Sequence, residues 1–503
     1  MGILKVYILA ILTGFITGVI TIPYRWLIEK SIYIRDLIFN MNNPSYYLIL
    51  GFLAIYLIGV LISKMVEEMP VITGSGIPQA RAQIYGRIKV KNPVKGLILK
   101  FLGGVSGISA GFSLGREGPS VQMGALIGET ISQVFKVDRV ERKYLIMSGA
   151  GAGLSSAFTA PLASAIFIAE ELQKYFNSRL TIFSFLGSIV SGYMAAKFFV
   201  KNDYLNIAIN YPENLNYFQY FYICIAFAIF TSFVGKCFSF LLIYFQKLNG
   251  KIKISKYIKI FFYTLMVVVI GVFFKDLTAG GESFLIREGM VNDLSIGALI
   301  FFIILKLLFT TLSYSTGFPG GIFLPLLVIG GLSGKLFGLI LLYFNMIDIS
   351  NLGVFIFLGM ASAFVVVVRS PATGIILILE MTWDFTLLPS MVIVVGLAYT
   401  VSNLMGVEPI YDLLYKPLIE NDNNNEVVEM VFEVGSESYL IGEELEQLDL
   451  PGDLKIGSIE RKGELIKIDG TTKIQKNDII GVPTKKRDIE KFYDSLRSLA
   501  QEN

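Results

Sequence analysis

Proton transfer in this chain must use carboxylates, lysine, tyrosine or cysteine, because its 503 residues include no histidine. That absence excludes Ser-His-Asp and Cys-His catalysis, histidine metal sites and histidine pH switches. The two cysteines, Cys224 and Cys237, lie in one apolar stretch. As part of one helix they would be about 20 Å apart, too far for a disulfide. We therefore interpret them as buried packing thiols.

Glu117 lies in the stretch LGREGPSVQMG at residues 114–124. A charged side chain in a membrane segment costs roughly 2.5–3.5 kcal/mol on insertion scales, so it usually lines a cavity or an ion pathway. At a helix start, its carboxylate could take the place of an anion and leave when protonated. Glu117 is a candidate gate and proton carrier. The alternative is a solvated loop carboxylate paired with Arg116.

Glu170 and Glu171 form a second group of carboxylates, directly after an apolar stretch. Glu170 has a counterpart of matching spacing, Glu380, in the second half of the chain, which predicts a structural role shared by both. Glu171 corresponds to Met381 instead and is therefore a candidate for a second proton site. The alternative for Glu171 is a carboxylate at the interfacial end of a helix.

Three glycine-rich stretches each precede an apolar segment: GSGIPQ at 74–79, GREGP at 115–119 and GGIFLP at 320–325. Proline suits the first turn of a helix, and glycine lets backbone N–H groups approach a ligand closely. Helix N-termini carry roughly half a positive charge, so several that converge would hold an anion without a basic side chain. We favour anion binding over ordinary helix breaks, because two of the stretches are related by a repeat.

The elements that must position these residues are membrane helices. The composition is 54% hydrophobic and only 17% charged, below the roughly 25% charged residues of soluble domains. Several apolar runs reach the ~18–20 residues that cross a bilayer. We interpret the first as a retained helix rather than a signal peptide. The runs cover residues 6–23, 47–65, 180–200, 218–245, 257–274, 295–312, 322–343, 352–368, 371–382 and 387–405.

An internal repeat organises these helices. The pattern G-F-x-x-G-x-x-x-P-x-x-x-x-G-x-x-x-G occurs at residues 111–128 and again, 206 positions later, at 317–334. A glycine, a proline and a glutamate also recur 210 positions apart: Gly149, Pro161 and Glu170 against Gly359, Pro371 and Glu380. Matching Gly/Pro-interrupted segments indicate a transporter with broken helices. We predict repeats of about 1–205 and 215–416 within a transmembrane domain of residues 1–418.

The chain ends in a segment of soluble character. Residues 419–426, which include NDNNN, read as a polar linker, and 427–503 as a small α+β domain. Its predicted elements are a strand at 427–434, a helical turn or two near 442–448, a hairpin at 454–468, a strand at 476–483 and a helix at 487–500. Basic loops predict which side is cytoplasmic, and we place the tail there; they lie at 81–99, 136–143 and 247–259.

Four motifs in order resemble the CLC family of chloride channels and chloride/proton antiporters, over about residues 10–416. They are GSGIP, GREGP, GGIFLP and the EPIY of residues 408–411. The resemblance implies the CLC fold, an all-α polytopic membrane protein with two inverted repeats of broken, tilted helices. It also implies a homodimer with a separate anion pathway in each subunit. It implies that an anion contacts the hydroxyls of Ser75 and Tyr411; Tyr415 is nearby but is not the motif position. It further implies that the anion contacts backbone amides of Gly115, Arg116, Gly118, Ile322 and Phe323.

The same resemblance implies roles for two glutamates. Glu117 matches the gating glutamate, and Glu171 matches the internal proton-transfer glutamate that channel members generally replace with an apolar residue. A chain with both resembles an exchanger: a chloride/proton antiporter rather than an enzyme, with bound chloride and neither metal nor cofactor. Ser75, in place of proline, points to chloride over nitrate. The fluoride-selective branch departs from both GSGIP and GREGP.

Residues 427–495 are similar to the C-terminal half of RCK modules (RCK_C, TrkA-C type), which bind small regulatory ligands. We therefore expect ligand regulation, with a nucleotide such as cyclic di-AMP as one candidate, and no nucleic-acid partner. The expected location is the bacterial inner membrane. Three alternatives stay open: a passive voltage- or ligand-gated chloride channel of the same fold, a cation system suggested only by the tail, and a membrane-embedded enzyme.

Overall fold

The computed structural model describes residues 3–40, 44–174, 178–199, 207–212, 215–291, 294–420, 427–435, 438–461, 464–485 and 488–500. The described residues up to 420 form α-helices joined by short turns, which confirms the predicted all-α membrane part. The helices are α1 Ile3–Phe39, α2 Ser45–Glu68, α3 Ile77–Ile84, α4 Pro93–Ser109, α5 Glu117–Val134, α6 Arg139–Phe158, α7 Pro161–Phe167, α8 Ser178–Phe198, α9 Tyr217–Lys251, α10 Lys256–Phe273, α11 Glu282–Val291, α12 Ile296–Ser315, α13 Phe323–Tyr343, α14 Leu352–Val368, α15 Pro371–Thr382, α16 Leu388–Leu404 and α17 Ile410–Glu420.

Nine of the described helices are long and apolar enough to cross a bilayer: α1, α2, α8, α9, α10, α12, α13, α14 and α16. The protein is therefore an integral membrane protein. Helices α5 and α6 are absent from this set although they have 18 and 20 residues. They are rich in glycine, serine and alanine and lie buried among other helices. The predicted packing thiols Cys224 and Cys237 both lie on α9 and form no disulfide.

The two repeats meet at equivalent glycines. Gly115 and Gly321, 206 positions apart, each donate an amide hydrogen bond to the carbonyl of the other, at 2.6 and 2.7 Å. Such an exchange between equivalent residues is the pattern expected at a local two-fold axis. It places the loop before α5 directly against the loop before α13.

Glu170 and Glu380 cap helices in each other's repeat. The Glu380 carboxylate accepts two amides in the first turn of α7, at 3.0 and 2.7 Å. The Glu170 carboxylate accepts two amides in the first turn of α15, at 3.0 and 2.8 Å. A carboxylate at a helix N-terminus satisfies amides that lack an intrahelical acceptor. The predicted structural role of this pair is thus visible in its contacts.

Glycines let helices cross closely at equivalent places in both repeats. Between α5 and α6, a Cβ added to Gly124 would overlap the carbonyl of Gly149, and the reverse also holds. Between α13 and α14, Gly330 and Gly359 stand in the same mutual relation. Each of these crossings brings two backbones into direct contact, which any larger residue would prevent.

The tail forms a four-stranded antiparallel sheet with strand order β1-β4-β2-β3 and a C-terminal helix. The predicted strands, hairpin and helix are confirmed. The predicted turn near 442–448 is a short 3-10 turn at Leu445–Gln447. The hairpin turn at 462–463 and linker residues 421–426 lie outside the described residues, and α17 continues through Glu420, two residues into the predicted linker. The elements are β1 Val427–Glu433, β2 Ser458–Arg461, β3 Glu464–Ile466, β4 Ile479–Lys485 and α18 Ile489–Ala500.

The tail domain touches the membrane part at the N-terminal end of α6. Arg139, the first residue of α6, forms an ion pair with Glu429 on β1. One turn further, the Tyr144 hydroxyl donates to the Glu433 carboxylate at 3.3 Å. Two polar contacts on one strand therefore connect the sheet to a helix of the buried core.

Candidate anion and proton site

The three glycine-rich stretches meet in the structure. Residues 74–79 run into α3, 115–119 into α5 and 320–325 into α13. The amide of Gly320 donates to the carbonyl of Gly74 at 3.0 Å, and the glycine bridge described above joins the other two loops. The first amides of a helix have no intrahelical acceptor. Three helix N-termini therefore meet in one region.

Gly115 makes a different contact from the one predicted. Its amide is engaged with Gly321 and is not available to an anion, because the bridge between the repeats uses this donor. A Cβ at this position would overlap Oε2 of Glu117 and would lie 3.3 Å from the amide nitrogen of Leu324. The prediction for Gly115 is therefore corrected: the residue ties the repeats together and leaves space for the glutamate.

Glu117 is the first residue of α5, and its side chain is fully buried. Its carboxylate lies against Gly115, in the space next to the Leu324 amide at the start of α13. The backbone amides of Glu117 itself and of Leu324 face this carboxylate, although neither reaches normal hydrogen-bond geometry. The alternative of a solvated loop carboxylate paired with Arg116 is thus wrong, because this group is enclosed between two helix N-termini.

Arg116 points its guanidinium away from its neighbour in the sequence. Its Nη1 lies 3.2 Å from Oε1 of Glu29 and 3.7 Å from Oε1 of Glu282. Glu29 also pairs with Arg25 at 2.8 Å. The arginine therefore belongs to an ion-pair network around the start of α5, while its backbone amide remains in the first turn.

Two hydroxyl groups lie beside these N-termini. Ser75 precedes α3, and its Oγ occupies the space that a Cβ on Gly118 would need. Tyr411 on α17 is fully buried, with its hydroxyl next to Ser75. The two hydroxyls interact with each other, but neither makes a hydrogen bond of normal geometry with any described residue. Tyr415 contacts a different group, with the Arg81 guanidinium 4.7 Å from its ring centroid, so Tyr411 is the tyrosine at this place.

Aromatic side chains hold the start of α13 and Tyr411 in a fixed relation. Ile322 and Phe323 are fully buried. The ring centroid of Phe323 lies 5.8 Å from that of Phe167, which lies 6.5 Å from the ring of Tyr411. Edge-to-face packing of this kind fixes ring positions. The predicted amide donors of α13 are therefore presented from a rigid support.

Glu171 lies in a π-helical segment, Ile168–Gln173, that continues α7, and its side chain is fully buried. Both carboxylate oxygens accept from Nζ of Lys174, at 2.9 and 3.0 Å, and the Ser370 hydroxyl donates to one of them at 3.2 Å. Lys174 also lies 3.4 Å from Asp412, whose side chain is 30% exposed. An ion-pair chain thus connects the buried Glu171 with solvent. Lys174 could have been found three positions after Glu171 in the sequence.

Two buried lysines were missed by the sequence-based predictions. Nζ of Lys100 donates to two carbonyls in the loop before α3, at 2.8 and 2.7 Å. Nζ of Lys306 donates to two carbonyls in the loop before α11, at 2.8 and 3.0 Å. Both are fully buried, and they are 206 positions apart. Their equivalent positions in the two repeats, within apolar segments, could have identified these lysines from the sequence.

Comparisons with known proteins agree with this architecture. The family model described as voltage gated chloride channel matches residues 58–403, and the TrkA-C domain model matches residues 430–497. A relative named H(+)/Cl(-) exchange transporter ClcA from Vibrio parahaemolyticus is 33% identical over 393 residues, which cover 74% of this chain and 82% of the relative. The protein of the same name from Salmonella arizonae is 30% identical over 441 residues, covering 83% of this chain and 90% of the relative.

Solved structures share the fold. A slow cyanobacterial Cl−/H+ antiporter matches with a TM-score of 0.75 and 24% identity, covering 83% of this chain and 99% of that one. A CLC-type fluoride/proton antiporter matches with a TM-score of 0.66 and 21% identity, covering 81% and 97% of the two chains. The predicted CLC fold is confirmed. Since the family model spans well over half of the sequence, the chain belongs to the voltage gated chloride channel (CLC) family.

Proposed function

We propose that the protein is a chloride/proton antiporter. The observation that carries this proposal is the position of Glu117: its buried carboxylate lies between the N-termini of α5 and α13 and faces its own backbone amide and that of Leu324. An ionised carboxylate there competes with a chloride for the same amides, and protonation removes the competition. The curated relatives at 30–33% identity are named exchangers, which supports exchange over passive conduction.

In this proposal the anion lies between hydroxyls and backbone amides. The Ser75 and Tyr411 hydroxyls, which make no hydrogen bond of normal geometry with any described residue, donate to chloride from the side of α3 and α17. Amides in the first turns of α5 and α13 donate from the other side: Arg116, Gly118, Ile322 and Phe323. Desolvating an anion is offset only where several donors converge. The absence of a basic side chain in this set keeps the anion from being held too tightly to move on.

Protons follow a separate route that ends at Glu171. Its contacts with Lys174 and, through it, Asp412 connect a buried carboxylate with the solvent on the side of α17. A chain of ionisable groups that runs from the interior to an exposed residue is the usual form of a proton relay in membrane proteins. We propose that Glu171 exchanges protons with this side and Glu117 with the opposite side.

The proposal is tested by loading proteoliposomes with chloride and recording chloride efflux and external pH together. Exchange requires protons to enter as chloride leaves, so the external pH should rise in step with chloride efflux. Chloride efflux without proton entry would identify a passive channel and would contradict the proposal.

We further propose that the TrkA-C-like tail regulates transport by binding a ligand. A cavity of about 470 Å³ in this domain is large enough for a small molecule, but its ionisable lining residues are Glu446, Asp449, Asp469 and Lys455. Hydrogen bonds from Thr472 and Thr471 hold the pKa of the Asp469 carboxyl below its ordinary value. Three carboxylates against one lysine disfavour phosphate groups. A nucleotide such as cyclic di-AMP would therefore need another face of the domain, and equilibrium dialysis with cyclic di-AMP tests for it.

The assembly and orientation are also proposed. Family resemblance supports a homodimer with one pathway in each subunit, located in a bacterial inner membrane with the tail in the cytoplasm. The basic residues of the loop before α6, which carries the tail contact, agree with a cytoplasmic side. Light scattering of the detergent-solubilised protein and protease access to the tail in inside-out vesicles measure the two properties directly.

A further inference from the structure

The N-terminus of α11 is built like the Ser75 end of α3. A 3-10 turn at Pro70–Ile72 precedes α3, which begins at Ile77, and a 3-10 turn at Lys275–Leu277 precedes α11, which begins at Glu282. The two constructions are 205 positions apart in the sequence. One of them leads into the proposed anion site, and the other has no role in that site.

Hydrogen bonds around the two loops are equivalent as well. Gly74 donates to the carbonyl of Gly317 at 3.2 Å, and Ala279 donates to the carbonyl of Gly111 at 3.2 Å. Each loop before a short helix is thus hydrogen-bonded to a loop of the opposite repeat. One of the two buried lysines, Lys100 or Lys306, also donates to carbonyls of each loop. The end of α11 is therefore the repeat-related counterpart of an anion-binding helix end.

A small cavity lies at this helix end. Its volume is about 30 Å³, and its walls include Arg35 from α1, Arg116 from the start of α5 and Glu282 from α11. This is about the space of one water molecule or one small ion. The counterpart of Ser75 in this loop is Gly280, which has no hydroxyl, so another side chain must supply a donor.

Arg35 lines the cavity and carries a donor there. Its side chain exposes only 9% of its surface, and Nη1 is buried with no hydrogen-bond partner among the described residues. A buried charged donor without an acceptor is strongly unfavourable. An anion in the cavity would satisfy it, together with the first amides of α11, which is ten residues long.

The charges around the cavity favour an anion over a cation. Its two carboxylates, Glu29 and Glu282, both face Arg116, and Glu29 also pairs with Arg25. Glu282 and Asp36 also attract Arg35, but neither carboxylate accepts a hydrogen bond from its Nη1. A halide in contact with Arg35 would accept a hydrogen bond from this nitrogen.

We propose that this cavity is an outer anion site, which binds a halide before it reaches Glu117. The cavity adjoins Leu324, whose backbone amide lies next to the space that holds the Glu117 carboxylate. It lies on the face away from the tail, because Arg25 contacts Thr159 at the C-terminal end of α6 while the tail contacts the N-terminal end. The role of this site in transport rests on the proposed function, whereas halide binding in the cavity does not.

Binding is tested with bromide as the probe, by anomalous diffraction from crystals of the full chain grown in bromide. We expect a bromide peak next to the Arg35 guanidinium in the wild type and no such peak in Arg35→Gln. A wild-type cavity without bromide, at a concentration that fills a position beside Ser75 and Tyr411, would overturn the inference. Bromide at Arg35 in a protein that fails to exchange chloride for protons would contradict only the proposed function.

Transport gives a second readout in proteoliposomes of uniform orientation, with chloride varied on the face away from the tail. Arg35→Gln should raise the KM for chloride on that face about tenfold, equivalent to about 1.4 kcal/mol, with unchanged kcat and proton coupling. Arg35→Lys should restore most of the affinity. The matched control is Lys275→Gln, which removes an exposed cation paired with Asp36 on the same face and should leave KM unchanged. An unchanged KM in Arg35→Gln, or an equal rise on both faces, would refute the site.

Discussion

At the scale of single residues, the protein has a carboxylate in its buried core, where an ionised group is energetically unfavourable. Glu117 is enclosed between helix N-termini, which offset part of the cost of burying its charge. The sequence predicted its importance from a charge in an apolar context. It did not predict that Gly115 would be used by the bridge to Gly321, because that contact joins residues 206 positions apart. Nor did it indicate Arg35, whose Nη1 has no hydrogen-bond partner among the described residues.

The first prediction concerns Glu117→Gln, which mimics the protonated side chain. We expect chloride flux to persist and lose its dependence on pH, while coupled proton movement falls below about one-tenth of the wild-type rate. Simultaneous chloride and pH electrode recordings on proteoliposomes measure both. Glu68→Gln, at an exposed helix end, is the control and should transport normally. Persistent coupling in Glu117→Gln would remove this residue from the proton route.

A second prediction separates two adjacent glutamates. Glu171→Gln should keep chloride flux and lose proton movement, because its carboxylate takes part in the ion-pair chain rather than in helix capping. Glu170→Gln should instead lower the free energy of unfolding by about 1 kcal/mol, since it weakens a helix cap, and should leave the proton-to-chloride ratio intact. Thermal unfolding and the flux assay distinguish them. The same phenotype in both variants would contradict the assigned division of roles.

At the scale of elements, glycine contacts decide how the inner helices pack. Hydropathy predicted most of the outer helices but gave no apolar run for α5 or α6, because these helices contact protein rather than lipid. Their small residues predict helix packing, yet the partner helix of each face depends on tertiary structure. The repeated glycine pattern predicted which positions correspond in the two halves. The structure adds that Gly124 and Gly149 contact each other where α5 crosses α6.

This packing gives a third prediction. Gly124→Ala should destabilise the protein by several kcal/mol, because its Cβ would overlap the Gly149 carbonyl and backbone cannot move aside as a flexible side chain can. Gly396→Ala on α16 is the matched control, since nothing lies within 4 Å of a Cβ there; it should be neutral or slightly stabilising. Melting temperatures in detergent provide the comparison. Equal stability of the two variants would show that the α5–α6 crossing is not tight.

At the scale of the whole molecule, the tail is attached to the core through α6. Sequence similarity predicted the type of domain, and residue alternation predicted its strands, because alternation is a local signal. The docking contact could not be predicted from the sequence, because Arg139 and Glu429 are 290 positions apart. Helix α6 packs directly against α5, and Glu117 lies at the end of α5 opposite to the docking contact, so these two helices connect the tail to the site.

The fourth prediction concerns the pH dependence of this docking. Burial would raise the pKa of the Glu429 carboxyl, but hydrogen bonds from Ser458 and Arg139 outweigh it and hold the pKa below its ordinary value. The contact should therefore be present above the ordinary glutamate pKa of about 4.3 and be lost as the pH falls below it, through the lowered pKa. Exposed ion pairs contribute below about 1 kcal/mol, so the attachment should be weak.

Hydrogen exchange of β1 amides as a function of pH measures this attachment. Arg139→Glu should increase exchange at neutral pH, and the double variant Arg139→Glu/Glu429→Arg should restore protection. Lys95→Glu, which breaks an exposed pair with Glu68 elsewhere, should not affect β1. Unchanged exchange in Arg139→Glu would show that the tail does not dock through this pair.

In the proposed exchange, chloride and protons move in opposite directions through one mechanism. The most direct test is the reversal potential of purified protein in a planar bilayer with a chloride gradient and an opposing pH gradient. Coupled exchange predicts a reversal potential that shifts when only the pH gradient is changed, and that differs from the chloride equilibrium potential. A reversal potential fixed at the chloride equilibrium value, whatever the pH gradient, would contradict the account and identify a passive chloride channel.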